Sequence, residues 1–275
     1  MREKIILDNN KIINLYKNGL TQLKIAKIFN VSYFLIYKIL KENKIQTRNS
    51  ANYRKHKIDE TYFQKINTDQ KAYFLGWLYS DGNTRTKGKI CRIAISVYYK
   101  DANILEDFKK DLRTTAPLLK VKKSNQIDFR IYHKKMTYDL VNLGCIPQKS
   151  LKLQFPSSNI IPNCFMPHFI RGFFEGNGSI TITKDNCAQI GITSSTKFCL
   201  NLEKFLLNNN IINKIGKRNT LKSKYSELTY TTIRIGGLQN ILNFYKYIYN
   251  YSQTYLLRKK QIFEKFFQMR NIIYK

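Results

Sequence analysis

The sequence predicts an α+β protein: a small three-helix domain followed by a pseudo-twofold duplicated α-β-β-α-β-β-α core. Three observations predict it. Residues 8–45 carry three short stretches with apolar residues at helical spacing, each bounded by capping or turn residues. Beyond residue 66 the order helix, strands, helix, strands, helix runs twice. Two segments, 74–82 and 170–178, repeat the same glycine spacing and open the two copies.

The first helix carries Ile12, Ile13 and Tyr16 on one face, and Gly19 ends it. Thr21 is placed to cap the second, with Leu23, Ile25, Ala26 and Phe29 as its apolar face. A break at Asn30-Val31-Ser32 follows, and Ser32 caps a third helix with Leu35, Ile36 and Ile39 facing inward. Two short helices with a tight break form a helix-turn-helix unit, here residues 1–46. In that motif the N-terminal residues of the second helix meet base edges in the DNA major groove. Tyr33, Tyr37, Lys38 and Lys41 are the contact candidates, while Phe34 fits either contact or core.

Residues 47–65 are polar and basic, and read as a linker. Arg48, Arg54 and Lys55 in it suit phosphates or a minor groove as well as a solvated tether.

The first core unit, residues 66–160, opens with a helix, DQKAYFLGWLYS, running into Asp81-Gly82. A strand follows in which Ile93, Ile95 and Val97 alternate with Arg92, Ala94 and Ser96. After a helix near 101–112, a further strand sets Ile127, Phe129 and Ile131 against Asp128, Arg130 and Tyr132, and a helix near 134–143 closes the unit. The second unit, 161–275, repeats the order. A helix from about 166 runs into Asn177-Gly178, strands SITIT and AQIGITS follow, then the helix TKFCLNLEKFLLNN. Its last strand sets Thr231, Ile233 and Ile235 against Tyr230, Thr232 and Arg234, before helices near 237–249 and 254–270. Each sheet thus has an apolar face for helices and a polar face free for a partner. Arg92, Arg130, Tyr132, Tyr230, Thr232 and Arg234 stand on the polar faces.

The charge balance names the class of partner. The chain has 275 residues, 43% of them hydrophobic, with 48 Lys plus Arg against 18 Asp plus Glu and a net charge of +30. Such an excess opposes compaction and suits a polyanionic partner, above all nucleic acid. An A/T-rich coding sequence, which favours lysine, is the plainer source of part of it. No apolar run is long enough to span a membrane and no leader is recognisable. Five cysteines without a CxxC, and three scattered histidines, suggest neither a disulfide framework nor a zinc site. The expected compartment is reducing and intracellular: cytoplasm, nucleoid or organelle matrix. A metabolic enzyme is disfavoured, because no phosphate-cradling glycine loop, nucleophile elbow or histidine constellation occurs.

The paired turns carry the chemistry. In FLGWLYSDG and IRGFFEGNG the third and seventh positions, Gly76 with Ser80 and Gly172 with Gly176, stand one helical turn apart on one face. Helices so stripped of bulk can pack backbone against backbone, bringing their C-terminal ends together. Asp81 sits at one such end, where the helix dipole disfavours an acid and a cation would compensate. Standing alone, Asp-Gly would be read as an ordinary turn pair.

These two segments, with the repeated element order after each, resemble the paired motifs of single-chain LAGLIDADG homing endonucleases over about residues 60–270. The resemblance implies motif helices at the interface of two half-domains and saddle-shaped antiparallel sheets on the DNA major groove. It implies cutting of both strands of a long, asymmetric site by a monomer. It implies catalytic divalent metals held by the acid before each last glycine: Mg²⁺ or Mn²⁺, with Ca²⁺ able to substitute without supporting cleavage. Asp81 matches the first metal-binding acid. Asn177 occupies the second position, where it offers an oxygen but no charge. Three accounts fit it: a natural binder acting as regulator or intron-RNA maturase, a strand-biased nicking enzyme, or a deliberate aspartate-to-asparagine change. Glu175 lies on the helix rather than at its end and reads as structural or as a charge near the site rather than a replacement ligand. The family's basic residue near each metal corresponds to Lys149 and Lys259, with Arg258 and Lys260 as competitors for the second place.

Overall fold

The structure, a computed structural model, describes residues 7–47, 56–86, 91–122, 124–224 and 226–274. It divides into two compact units, residues 1–55 and 56–275. Among the linker candidates Arg48, Arg54 and Lys55 lie outside the described residues.

The first unit holds three helices, α1 (Asn9–Lys17), α2 (Gln22–Ile28) and α3 (Tyr33–Glu42). Each begins on a side-chain cap, Asp8, Thr21 and Ser32, that accepts a first-turn N–H otherwise left without a partner. Ile12, Tyr16, Ile25, Ala26, Ile36, Ile39 and Leu40 form the core between them. Leu23, expected inside, is instead 63% exposed, because the second position of α2 turns away from the face set by Ile25 and Ala26. Phe34 is also outside, at 70% exposure.

The second unit is a duplicated α-β-β-α-β-β-α core. The first copy runs α4 (Asp69–Ser80), β1 (Gly82–Arg85), β2 (Arg92–Tyr98), α5 (Ala102–Asp111), β3 (Leu118–Lys120), β4 (Gln126–Ile131) and α6 (Lys134–Asn142). The second runs α7 (Met166–Asn177), β5 (Gly178–Ile182), β6 (Ala188–Ser195), α8 (Thr196–Asn208), β7 (Asn219–Lys222), β8 (Thr229–Gly236) and α9 (Leu238–Tyr249), with α10 (Leu257–Met269) added. Both copies form a four-stranded antiparallel sheet in the same order, β1-β2-β4-β3 and β5-β6-β8-β7.

The expected alternation decides which face each sheet buries. Ile93, Ile95 and Val97 meet Ile131, Phe129 and Ile127 in register, and Ile190 and Ile192 meet Ile235 and Ile233. These residues point onto the helices, and one continuous apolar core joins both copies. Residues that read as linker contribute to it: Tyr62 and Phe63 are buried alongside Ile66, and the Asp59 N–H donates to the Leu112 carbonyl.

Helix α4 explains the join. Every residue from Ala72 to Tyr79 is buried, so it is apolar all round and lies in the middle of the unit. Helix α7 is buried from Phe169 through Glu175, and packs along it.

Candidate active site at the paired helix ends

Close approach of α4 and α7 positions the site. A Cβ on Gly76 would overlap the Phe169 carbonyl oxygen and stand 2.7 Å from the Phe173 nitrogen. A Cβ on Gly172 would overlap the Tyr73 carbonyl oxygen and stand 3.2 Å from the Trp77 nitrogen. The two backbones touch where side chains would normally separate helices by 8–10 Å between axes. Nearer the C-terminal ends, Ser80 faces Gly176, where an added Cβ would overlap the serine hydroxyl and lie 2.7 Å from Asp81 Oδ2. The carboxylate of one copy therefore reaches across to the helix of the other.

The two ends differ by one residue of helix. Helix α4 stops at Ser80 with Asp81 as its C-cap, whereas Asn177 is the last residue of α7 and Gly178 its cap. Strands β1 and β5 begin at once, at Gly82 and Gly178, so both sheets spring from the shared end. Asp81 is exposed to solvent on one side and crowded by the helix ends on the other. Crowding raises its pKa above the usual aspartate value, and the charges of Lys149 and Lys259 and a hydrogen bond from Ser80 hold it down in part.

Neither helix has a basic residue in its last turn, and lysines from distant segments take that part. Lys149 sits in a 3₁₀ turn after α6, and its buried Nζ donates to the Ser80 carbonyl at 3.1 Å and the Gly82 carbonyl at 2.6 Å. Lys259, in α10, donates to the carbonyls of Phe174, Glu175 and Gly178 at 3.0, 2.6 and 2.6 Å. An ammonium has three N–H groups, so Lys259 is fully engaged and Lys149 uses two. Burial lowers both lysines from their ordinary value, Lys259 to about 8, with Arg258 adding to the effect there. Arg258 and Lys260 are turned elsewhere. Arg258 makes a bidentate pair with buried Asp101, and Lys260 stands 4.1 Å over the Tyr255 ring.

Behind Asn177 lies a buried polar group. Glu175 is fully enclosed and accepts hydrogen bonds from Tyr73 at 2.5 Å and Tyr249 at 3.1 Å. Burial raises its pKa, opposed by those hydroxyls, the Leu256 N–H and the charge of Arg171. Arg171 donates to the carbonyls of Thr254 and Ile248 and stacks on Tyr73. Glu175 therefore joins both helices to α9 and faces away from the surface turn.

The polar sheet faces carry the other candidates. Arg92 reaches Asn83 at 3.2 Å, and Arg130 is held by Asp128, which also takes the Ser96 hydroxyl. Tyr132 is 57% exposed. On the second sheet Thr232 pairs with Thr193 at 2.8 Å and Arg234 with Gln189 at 2.9 Å, and Tyr230 is half-buried. The outward positions of the first strand in each sheet add Asn83, Arg85, Ser179 and Thr181, which sequence reasoning passed over. Alternation of serine and threonine with isoleucine signals the second pair in GSITI, whereas the first strand, GNTR, carries no apolar side chain to signal its faces.

Comparison with known proteins bears on this arrangement. Residues 165–249, α7 through α9, match the family model of the LAGLIDADG-like domain. No curated protein matches the chain. Among solved structures the chain is similar to the LAGLIDADG homing endonuclease I-LtrWI bound to target DNA, at 12% identity and TM-score 0.47, covering 78% of this chain and 92% of that one. It is similar to the LAGLIDADG meganuclease I-AabMI bound to uncleaved DNA, at 14% identity and TM-score 0.46, covering 75% and 91%. Mesophilic variants from the homing endonuclease I-DmoI are similar at 16% identity and TM-score 0.44, covering 75% and 98%. No described helix is long and apolar enough to cross a membrane.

Proposed function

We propose that the chain binds a long duplex DNA site as a monomer and is a homing-type endonuclease whose hydrolysis is confined to the strand served by Asp81. One observation carries the reading. The backbone-to-backbone pair of α4 and α7 puts a single carboxylate, that of Asp81, at the shared origin of two polar-faced sheets in a chain of net charge +30. The family match of residues 165–249 supports it.

The donor set fits a hard divalent cation completed by the substrate. Asp81 offers a carboxylate and Asn177 an amide oxygen. Among the described residues no three His, Cys, Asp or Glu stand together. Mg²⁺ and Mn²⁺ suit such an open site, since Mg²⁺ commonly takes one or two protein carboxylates and draws its other ligands from phosphate and water. A bound ion would supply charge stabilisation at the scissile phosphate and a more acidic water. The chain's residues hold its place. Lys149 fixes the carbonyls on either side of Asp81, and Lys259 fixes those around Asn177. The sheet residues Arg92, Arg130, Tyr132, Tyr230, Thr232 and Arg234 position the duplex. The helix-turn-helix domain of residues 1–46 contacts flanking DNA through Tyr33, Tyr37, Lys38 and Lys41. Arg48, Arg54 and Lys55, after the helix-turn-helix domain in the chain, contact phosphates. Half-domains of 66–160 and 161–275 each serve one strand.

A second reading, DNA or intron-RNA binding without cleavage, is favoured by Asn177, which leaves one turn uncharged. The test starts from the full chain and a randomised duplex pool. A recovered site, cloned into supercoiled plasmid with Mg²⁺ or Mn²⁺, is expected to give nicked circles, and Asn177→Asp to give linear product. Binding without cutting by either form supports the second reading, and recovery of no duplex overturns the DNA assignment.

A further inference from the structure

We propose that the three-helix unit reads thymine-rich DNA through the 5-methyl groups of thymine, with Phe34 as the reading side chain and Tyr33 and Tyr37 beside it. This rests on the DNA assignment above and concerns residues 7–47.

The head of α3 is aromatic and unpartnered. Phe34 is 70% and Tyr33 48% exposed, at the first two helical positions behind the Ser32 cap. The opposite side of α3 is fixed by Ile36, Ile39 and Leu40 in the core, so the exposed side is held in one orientation. The Phe34 and Tyr37 rings lie 6.4 Å apart and make one apolar strip. Beside it runs a cleft of about 220 Å³ whose walls include Leu23, Tyr33 and Tyr37.

Hydrogen-bonded readout is largely missing from this helix. Bidentate recognition of bases uses Arg, Lys, Asn or Gln. Helix α3 contains no Arg, Asn or Gln, and residues 7–47 contain no arginine at all. Its two lysines come later, and Lys38 lies 3.7 Å from Glu42. Among major-groove features, the thymine methyl is the one that an aromatic tip can recognise by contact alone. Charge selects DNA over an apolar protein partner. Asp8 and Glu42 are the only acids of residues 7–47, and exposed Lys24, Lys27, Lys38 and Lys41 stand on α2 and α3, the helices that carry Leu23 and the strip, where they suit phosphates.

The test uses the full chain and its selected site. The flank bound by the three-helix unit is expected to be thymine-rich, and replacing those thymines by deoxyuridine to weaken binding roughly fourfold per contacted methyl. Phe34→Ala, at a surface position that leaves the core intact, is expected to bind thymine and deoxyuridine duplexes equally. Lys41→Ala is expected to weaken both alike while keeping the methyl effect. Affinity indifferent to deoxyuridine, with the rest of the site still bound, would overturn the inference and leave the DNA assignment standing. So would a Phe34→Ala chain that keeps full methyl sensitivity but loses self-association in sedimentation, because the strip would then be a protein interface. Recovery of no duplex would overturn both.

Discussion

At the end of α4 the acid stands at the surface; at the end of α7 it stands inside. Asp81 projects at the paired ends, where Asn177 is its neutral counterpart. Glu175, two residues earlier, is enclosed by Tyr73 and Tyr249, where the first copy has Tyr79 bonded to the Leu143 carbonyl. The lysines follow the same division. Lys259 gives all three N–H groups to backbone carbonyls, and Lys149 gives two. One fold has thus been kept twice, with the second end more fully hydrogen-bonded and the first left with a charge available at the surface. A buried carboxylate needs partners for its lone pairs, and a surface carboxylate beside a helix end needs a cation.

The largest test of that division is Asp81→Ala. On the proposed function it should lower nicking by a hundredfold or more, since it would remove the charged ligand, while Glu175→Gln should leave the cut strand unchanged; loss of a different strand would place the active carboxylate elsewhere. Next is the seam that both ends share. Gly172→Val drives side-chain atoms into the Tyr73 carbonyl and should cost about 3 kcal/mol or more in urea unfolding. Gly176→Ala meets mainly the Ser80 side chain and should cost clearly less. Third, Lys259→Met should destabilise by about 3 kcal/mol and Lys149→Met by about 2 kcal/mol, in proportion to the charged hydrogen bonds lost. Equal losses would erase the asymmetry between the lysines.

The smallest effect tests the sign of the charge at Asp81. Its folded pKa is raised, because crowding outweighs Lys149 and Lys259. The folded chain then holds more protons than the unfolded one as pH climbs from the ordinary aspartate value, so stability falls across that window. Asp81→Asn should remove the loss. Urea midpoints without metal should match below the window, and the variant should lead by roughly 0.5 kcal/mol at neutral pH. A variant less stable at neutral pH would mean that the carboxylate already has a stabilising partner.

Much of the fold could be read from the chain because its signals are local. Helix α4 occupies the segment expected of it, and the alternation around Ile93, Ile127 and Ile233 sets the buried sheet faces. The small residues at 76, 80, 172 and 176 already implied a close seam. Edge strands were harder: Asn219–Lys222 is exposed throughout and has no apolar alternation to reveal it. Tyr62 and Phe63 were hidden because a short buried pair inside a polar stretch has no period. The lysine cages were beyond local reading altogether. The family resemblance marks Lys149 and Lys259, but each joins a helix end to a side chain more than sixty positions away, so their carbonyl partners cannot be read from neighbouring residues.

The glycine seam also acts as a ruler. A helix advances about 1.5 Å per residue, and sliding α7 by one step would put Phe173 or Arg171 where Gly172 now meets the Tyr73 carbonyl. Such a step would set a side chain against a backbone carbonyl, which disfavours other lengths for the span between the two turns. A duplex engaging both must supply the adjustment itself, and base steps that bend or unstack cheaply would be favoured midway between the turns even where no side chain touches them.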